Sequence, residues 1–469
     1  MIGSLHHQPS LFYAAFDRQA SLIKDDLLDP VDDLLDDPTL VSLVREALAH
    51  RCPQSDVTGR FGIAPDRLLR CCVLKHIKGW SLRELEREVR TSLVYRRFTR
   101  FDQEAIPKFC TFSRTFAALG PDTTRRVHEA VTQRAQRERI APGRKLRTDT
   151  TVVETNIHYP TDSTLLGDGI RVLTRSLKRI AQECQTGTLK VVEHARSTQR
   201  RILEIHRAAR TFTDGGKAHL QASYRRLVGI ARRVVRQTER TSADLVSGKL
   251  AITGSAMRVI VAEAQLRHFL PLVKRVIVQT KARVFGGNTH VESKVLSLFE
   301  EHSQVIRKGK AHKPTEFGRL VRIDEVENGI VSNYAVAGGN PSDGEQWAPA
   351  LSQHRTQFGR APRMATADRG YWSAKNERFA REQGVERIVL PARGRLSETR
   401  VKLQKNRWFR RALSWRGGIE GRIGTLKHRF SMLRATYKGE RGFDRYVGWC
   451  VIAQNLVSIA RVKSRRRKE

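Results

Sequence analysis

The order of strand-like and helix-like segments after residue 140 limits this chain to few folds. Residues 145–154 have the β-branched bias of a strand, and residues 165–310 then show helical periodicity. Two further strand-like runs, at 318–324 and 329–337, are joined by a short turn and predict a β-hairpin. Helices and strands then alternate over residues 342–353, 363–368, 374–383, 386–391, 407–435 and 443–462. This order predicts an α/β fold, with a mixed sheet covered by helices and a large helical insertion.

Residues 51–140 predict an all-α domain. Pro65 opens a periodic apolar run that ends at Gly79, and Ser81-x-x-Glu84 has the pattern of a capping box that starts a second helix. Two helices joined by such a short turn are typical of a helix-turn-helix DNA-binding unit.

The first 50 residues differ in charge from the rest of the chain. Residues 24–50 contain eight Asp and Glu but only two Lys and Arg. Such a segment forms either solvated acidic helices or an acidic arm that docks on a basic body. We treat residues 1–50 as an acidic N-terminal arm.

The predicted α/β domain spans residues 141–462, and a basic helical insertion interrupts it at about 163–312. Residues 171–240 carry 17 Lys and Arg against five Asp and Glu, with apolar residues at helical spacing. We interpret the insertion as a helical hairpin or bundle, because its apolar heptads are too short for a coiled coil. Residues 463–469 form a basic tail, and we expect residues 465–468 of it to be frayed.

The net charge of +38 and the pI near 10.9 indicate a polyanionic partner, and we predict nucleic acid. The sequence has no signal-peptide pattern and no uninterrupted apolar run long enough to span a membrane. Its six cysteines are scattered, which favours reduced thiols over a disulfide framework. We therefore expect a cytoplasmic protein without a membrane partner, associated with the nucleoid.

A run of arginines follows the capping box and is interleaved with aromatic residues. A solvated basic face is the simplest interpretation of such a run. With the overall charge and the helical turn beside it, the run predicts contacts with DNA, mostly with phosphates. The predicted DNA-binding residues are Arg83, Arg87, Arg90, Arg96, Arg97 and Arg100.

A second group of charged residues lies near the C-terminus. At 100° per residue, Arg416, Glu420 and Lys427 fall within about 40° of one another around a helix. One carboxylate between two cations suits a site that holds a metal ion against a phosphate backbone. Glycines at 417, 418, 421 and 424 weaken a helix, so either it begins near Ile419 or the backbone needs a close approach there.

Two more acidic residues have the placement to complete such a site. Asp149 lies in the first predicted strand, and Asp368 ends a later strand at an Asp-Arg-Gly turn. Metal-assisted phosphodiester chemistry uses carboxylates, because Mg²⁺ and Mn²⁺ are hard cations that prefer oxygen ligands. Asp149, Asp368 and Glu420 are therefore the predicted catalytic and metal-binding residues, with Arg416 and Lys427 as phosphate contacts.

This set of residues resembles the DDE transposases of bacterial insertion sequences. In the subgroup that the chain resembles, the glutamate helix carries Tyr-x2-Arg-x3-Glu-x6-Lys. Arg416-x3-Glu420-x6-Lys427 matches both later spacings, whereas Leu413 stands at the tyrosine position. Residues 156–163 and 309–318 also resemble stretches typical of the group, and the likeness covers about residues 40–460.

The resemblance implies an RNase H-like catalytic domain and an N-terminal domain that binds the terminal inverted repeats of the element. It implies Asp149, Asp368 and Glu420 as the catalytic triad, which would hold Mg²⁺ or Mn²⁺, with two ions expected. It also implies double-stranded DNA as the partner, both element ends and target, and a homodimer or larger assembly on that DNA. A DNA-binding regulator without catalysis and a hydrolytic nuclease of the same fold are the alternative functions.

Several nearby residues could also take part in such a site. Among the other acids, Glu154, Asp162, Asp168 and Asp343 are weaker candidates, since Glu154 faces the opposite side of its strand from Asp149. We interpret His158 and His290 as structural residues. Trp408 and Trp415 are most simply core residues, with stacking on an unpaired base as the alternative.

Overall fold

In the computed structural model, two compact units make up the chain. One contains Met1–Asn156 and Gln304–Glu469, and the other contains Ile157–Ser303. The structure describes residues 2–3, 25–51, 54, 58–59, 61–101, 104–185, 187–211, 213–292, 294–307, 314–392, 394–467 and 469.

The larger unit contains a mixed sheet of seven strands. Its main path has the order β2-β3-β1-β5-β6, while β4 pairs with β3 and β7 with β1. β1 runs antiparallel to β3 and parallel to β5, which in turn runs parallel to β6. The strands are β1 (Lys145–Thr155), β2 (Gln304–Ile306), β3 (Glu316–Glu325), β4 (Val331–Val336), β5 (Met364–Thr366), β6 (Arg387–Val389) and β7 (Arg434–Ala435). The predicted strand, hairpin and alternating segments are confirmed, and the arrangement is an RNase H-like mixed sheet.

Helices precede the sheet and alternate with its later strands. Seven described helices precede β1: α1 (Leu28–Leu35), α2 (Pro38–Arg51), α3 (Pro65–Lys78), α4 (Leu82–Thr91), α5 (Leu93–Thr99), α6 (Phe109–Ala118) and α7 (Pro121–Arg137). The smaller unit contains α8 (Asp162–Glu183), α9 (Ala195–Ala208), α10 (Asp214–Val246) and α11 (Ala256–Val284). The larger unit continues with α12 (Trp347–Phe358), α13 (Ala374–Glu382), α14 (Glu398–Lys405), α15 (Arg407–Arg429) and α16 (Glu440–Arg466).

The predicted boundary between α3 and α4 is present in detail. α3 ends at Gly79, whose φ of 72° is left-handed, and this conformation favours glycine. The Ser81 hydroxyl accepts from the Glu84 amide, and the Glu84 carboxylate accepts from the Ser81 amide. These two bonds form the capping box that the sequence predicts, because they satisfy amides that the first helical turn leaves free.

Several acidic residues of the described segment 25–51 contact basic side chains. α1 and α2 contribute apolar residues to the same core as α3, α7 and α16. Asp32 and Asp36 accept from the buried Arg70 guanidinium at 2.7 Å and 2.9 Å. Asp36 also pairs with Arg100 at 2.7 Å. This part of the acidic segment is therefore held against basic residues and is not simply a solvated acidic surface.

The smaller unit is a helical bundle with its own apolar core. Leu173 and Leu177 of α8 are buried with Leu227 of α10 and Leu266 of α11. Basic side chains such as Arg232 and the other arginines of α10 stay exposed, as the predicted basic outer surface requires. The helical prediction for this segment is confirmed.

Two local expectations need correction or fall outside the described residues. The C-terminal tail is not frayed from Arg465, because α16 continues to Arg466 and the Arg466 guanidinium donates to the carbonyls of Glu138 and Arg139. The first half of the motif at 309–318 lies outside the described residues, which resume at residue 314.

In the described part of the chain, every helix is either too short or too polar to cross a lipid bilayer.

The pairing of β1 with β3 requires a glycine at one position. Gly318 lies opposite Glu154, and a Cβ there would overlap the backbone carbonyl of Val153. Backbone atoms cannot rotate away, so we expect Gly318→Ala to lower the free energy of unfolding by about 1–3 kcal/mol. Urea denaturation monitored by tryptophan fluorescence measures this loss. Gly338→Ala is the matched control, since its Cβ would meet nothing within 4 Å, and equal midpoints for the two variants would contradict the expectation.

Candidate active site

Asp149 and Asp368 extend from neighbouring parallel strands. The last pairs between β1 and β5 match Leu146 with Ala365 and Arg147 with Thr366. Asp149 and Asp368 each lie two residues beyond that last pair. Asp149 lies within β1 and Asp368 just after the end of β5, and side chains two residues apart share a face of a strand. The register therefore places the first two predicted acids at the same level of adjacent strands.

A short 3-10 turn shapes the end of β5. Asp368 caps the turn Arg369–Tyr371 by accepting from the Arg369 amide, and its side chain stays 53% exposed. Tyr371 is buried below the turn, and burial together with the charges of Asp149 and Asp343 holds its pKa well above the ordinary value. The Tyr371 phenol therefore stays neutral. Because Asp368 is exposed, its carboxylate is accessible to a ligand.

The predicted cation-acid face is formed by one continuous helix. α15 begins after Asn406, so Arg416, Glu420 and Lys427 all lie inside it and the glycines do not interrupt it. The Arg416 guanidinium donates to Glu420 Oε1 at 3.0 Å and lies 3.9 Å from Asp368 Oδ1. Arg416 therefore links the second and third predicted acids.

Gly418 explains part of the glycine-rich sequence of α15. A Cβ at this position would overlap the Arg147 guanidinium of β1. In contrast, a Cβ at Gly417, Gly421 or Gly424 would meet nothing within 4 Å. Close approach to the sheet therefore accounts for Gly418 alone.

Arg147 and Glu325 anchor α15 on the sheet, and the sequence analysis did not identify either. They are register partners on β1 and β3, and Arg147 Nη2 donates to Glu325 Oε1 at 2.6 Å. Arg147 also donates to the Trp415 carbonyl and lies 4.7 Å from that indole ring. Arg422 of α15 donates to the same buried carboxylate at 3.3 Å. These contacts fix the helix over the strand that carries Asp149.

A metal centre is not assembled in this arrangement. Across the residues that the structure describes, no three His, Cys, Asp or Glu side chains converge as metal ligands would. The Glu420 side chain is 67% exposed and turns to Arg416, whose own side chain is 19% exposed. The acids offer the oxygen donors that a hard divalent cation prefers, but Arg416 occupies the space between two of them.

Lys427 contributes to a different feature of the surface. It lines a groove of about 690 Å³ with Lys75, Arg83, Arg434 and Tyr437, beside the capping box of α4. Two turns separate it from Glu420 along α15. The structure therefore places Lys427 beside the predicted DNA-binding helix.

The six predicted DNA-binding arginines fall into two groups. Arg83, Arg87 and Arg90 are exposed along α4 at the spacing of one helix face, although Arg87 and Arg90 also pair with Glu88 and Glu86. The second group is only half exposed and consists of Arg96, Arg97 and Arg100. Arg96 donates to the Glu104 carbonyl at 2.7 Å, while Arg100 pairs with Asp36, so these two are held by the protein itself.

The weaker acidic candidates have partners in the structure. Glu154 pairs with Arg434 at 2.7 Å, Asp162 with Arg283 at 2.5 Å and Asp168 with Arg171 at 2.6 Å. Asp343 accepts from the Thr150 hydroxyl at 2.6 Å. Thr150 follows Asp149 on β1, so this contact places Asp343 near the first predicted acid.

The remaining candidates of the sequence analysis have ordinary contacts. His158 lies 3.6 Å from Asp168, and the exposed His290 contacts the Thr289 hydroxyl at 3.0 Å. Trp408 packs against the small core of Phe409, and Trp415 stacks on Arg147.

Family models match the two parts of the larger unit separately. Residues 16–118 match a transposase domain (DUF772), and residues 301–456 match the transposase DDE domain. Asp368 and Glu420 lie within the second match, whereas Asp149 lies in neither. No curated protein and no solved structure is significantly similar to the chain. The subgroup with the spaced Tyr, Arg, Glu and Lys stays a prediction.

Proposed function

This chain belongs to the DDE transposases of insertion sequences, and from that premise we propose a specific activity. It binds the terminal inverted repeats of its element, cleaves the DNA with divalent metal ions and joins the 3′ ends to a target. In this proposal, Asp149, Asp368 and Glu420 are the catalytic carboxylates. The protein acts at the nucleoid, in the cytoplasm, as a homodimer or larger assembly on DNA.

The observation that carries the proposal is the meeting of three elements at the point where β5 ends beside β1. Asp149 and Asp368 leave adjacent parallel strands at the same level, and Glu420 contacts Arg416, which also approaches Asp368. The buried Arg147–Glu325 pair supports this meeting, because it joins the strand of Asp149 to the helix of Glu420.

The donor set fits a hard divalent cation. All three side chains supply carboxylate oxygens, and Asp368 and Glu420 are open to solvent and to substrate. When bound, Mg²⁺ or Mn²⁺ would stabilise the charge on the attacking and leaving oxygens of the phosphodiester. The same site serves water and a 3′-hydroxyl as the attacking group, which lets one centre perform cleavage and joining.

Arg416 has two functions in this proposal. Through the contacts described above, it neutralises Glu420 and Asp368, which would otherwise repel each other. With DNA present, its planar guanidinium turns to a phosphate and leaves the carboxylates to the metal. Arg83, Arg87 and Arg90 of α4 hold phosphates of the element end at the same time.

Replacing Arg416 with Gln tests these two functions, because loss of the first should favour metal binding and loss of the second should slow cleavage. Loss of the cation frees the carboxylates for the metal ion. We therefore expect the half-saturating Mn²⁺ concentration to fall about threefold, which is the size of effect expected when two exposed ion pairs are lost. Loss of the phosphate contact lowers the cleavage rate at saturating metal about tenfold. Cleavage rates measured across a Mn²⁺ titration give both values. A rise in the metal requirement would contradict the first function.

The experiment that tests the proposed function uses the purified full-length protein and DNA that carries the inverted repeats flanking its gene. We expect cleavage at the repeat ends with Mg²⁺ or Mn²⁺, and joining of pre-cleaved 3′ ends to a second DNA. Binding without cleavage by either ion would support a regulator instead. Cleavage without joining would support a hydrolytic nuclease.

A further inference from the structure

Lys75 is a buried lysine whose charge is not matched by a carboxylate. Its side chain belongs to α3 and the residue is 3% exposed. The ammonium lies 5.0 Å from the ring centre of Tyr437 and 5.3 Å from that of Tyr446. Within the described chain, no carboxylate forms an ion pair with it and no acceptor forms a hydrogen bond with it. Burying an ammonium without such partners is unfavourable, so this position needs an explanation.

The groups around Lys75 do not neutralise its charge. His76 and Cys72 of α3 and Cys450, Tyr446 and Arg445 of α16 face this region, together with Tyr437 and Glu84. Burial lowers the pKa of His76 and raises those of both thiols and both phenols, so these groups are neutral at pH 7. Burial also lowers the pKa of Lys75 to about 8, which still leaves it mostly protonated at pH 7. The Glu84 carboxylate already accepts from the Ser81 amide at the capping box.

The ammonium opens into the groove that Lys427 lines. Arg83, Arg434 and His428 also line this groove, and Trp80 adds an aromatic wall. Positive groups therefore converge from α3, α4 and the end of α15. Such a concave basic surface lined with aromatic rings suits one segment of a nucleic-acid backbone.

The groove also joins two functional parts of the chain. The turn between α3 and α4 lies directly against the residues after α15, since a Cβ at Gly79 would come within 2.6 Å of Ser431 Oγ. Ser431 is four residues beyond Lys427 and two residues beyond the end of α15, the helix that carries Glu420. A strand bound here would contact the predicted DNA-binding helix and the catalytic helix together.

We propose that Lys75 forms a phosphate-binding site, and that one phosphate of the bound DNA end occupies it between α4 and the end of α15. This inference rests on the proposed transposase function and names a contact of its substrate. The phosphate completes the ion pair that the folded protein lacks, so part of the free energy of DNA binding comes from relieving a buried charge.

Lys75→Met tests the site because stability and binding should change in opposite directions. Removing the buried charge raises the thermal midpoint of the larger unit by about 3 °C at pH 7. The same change weakens binding of the inverted-repeat duplex about tenfold at physiological salt and reduces the slope of log K against log salt by about one. Lys78→Met is the matched control, because Lys78 lies one turn later on α3 and its ammonium packs over Tyr95 instead. A Lys75→Met variant that is less stable, or that binds the duplex as tightly as the control variant, overturns the proposal.

The pH dependence of stability is a second readout. Since the folded pKa of Lys75, about 8, lies below its ordinary 10.5, the unfolded state binds more protons between these values. From pH 8 to pH 10 the free energy of unfolding of the wild type should therefore rise relative to that of Lys75→Met, since the raised pKa values of the thiols and phenols act in both proteins. Equal profiles would show that Lys75 is not a buried, unpaired cation.

Neutral methylphosphonates, placed one at a time in the duplex, locate the phosphate. One position should weaken binding by the wild type about tenfold and leave Lys75→Met unaffected. If the losses of binding free energy from the methylphosphonate and from Lys75→Met add at every position, Lys75 does not contact a phosphate directly. Inorganic phosphate serves as the competitor. If millimolar phosphate displaces the duplex from the wild type but not from Lys75→Met, the site binds free phosphate rather than the DNA backbone. All of these readouts measure binding or stability, so loss of cleavage alone would count against the proposed function and not against this site.

Discussion

Asp368→Asn should bind the inverted-repeat duplex within about twofold of the wild type, yet cleave it about 10³-fold more slowly. The amide keeps the shape of the side chain but removes the negative charge that holds a divalent cation. Asparagine also caps a helical turn as well as aspartate does, so the turn Arg369–Tyr371 should persist. The variant therefore separates the chemistry of residue 368 from its structural role.

Asp343→Asn is the matched control for this substitution. Asp343 is a neighbouring carboxylate, and it accepts from the Thr150 hydroxyl at 2.6 Å, a bond that an amide oxygen can also accept. We expect its cleavage rate to stay within about threefold of the wild type. Single-turnover cleavage under saturating Mn²⁺, together with binding isotherms, measures both variants. If Asp343→Asn lost cleavage and Asp368→Asn kept it, the second metal ligand would have to be reassigned.

The same assay applied to Asp149→Asn is the sharpest check on the first carboxylate. Asp149 lies outside both family matches, so its assignment depends on its register beside Asp368. A loss as large as that of Asp368→Asn is expected.

The segments of the fold were predictable because local sequence encodes them. Gly79 and the Ser81–Glu84 capping box mark helix ends through bonds between residues at most five apart. The β-branched run at 145–154 marks a strand for the same reason. The fold class followed from the order of such segments.

The geometry of the site was less predictable because it depends on non-local pairing. The register of Arg147 with Glu325 and Thr366 joins residues about 180 and 220 positions away, and no local pattern encodes it. The Arg416–Glu420 contact was predictable because i and i+4 share a helix face, but its approach to Asp368 depends on how α15 packs. The burial of Lys75 could not be predicted, because a lysine within a periodic apolar run has the same sequence pattern whether it is buried or exposed to solvent.

The acidic N-terminal segment leads to the second large prediction, because its main contact is with a buried arginine. The Arg70 side chain is 0% exposed, and Asp32 and Asp36 accept from two of its nitrogens. Burial raises the pKa of Asp32 even though Arg70 lowers it, so the ionised carboxylate is already strained by desolvation. Removing Arg70 would leave this carboxylate with the weaker attraction of Arg100, whose nitrogen is 3.7 Å away.

We expect Arg70→Ala to lower the free energy of unfolding by about 3–5 kcal/mol, from the unpaired carboxylate and the cavity together. Arg126→Ala is the matched control, because it also breaks a pair with an acid of this segment, Glu46, but both partners are about half exposed. Its effect should be below about 1 kcal/mol. Urea denaturation of the full chain at pH 7.5 measures both variants. Equal losses in the two variants would mean that the acidic segment contributes only surface charge.

The loss of stability in Arg70→Ala should also depend on pH. Because the folded pKa of Asp32 lies above its unfolded value, protonation removes the unfavourable buried charge. The difference in free energy of unfolding between the wild type and Arg70→Ala should therefore shrink as the pH falls toward 5.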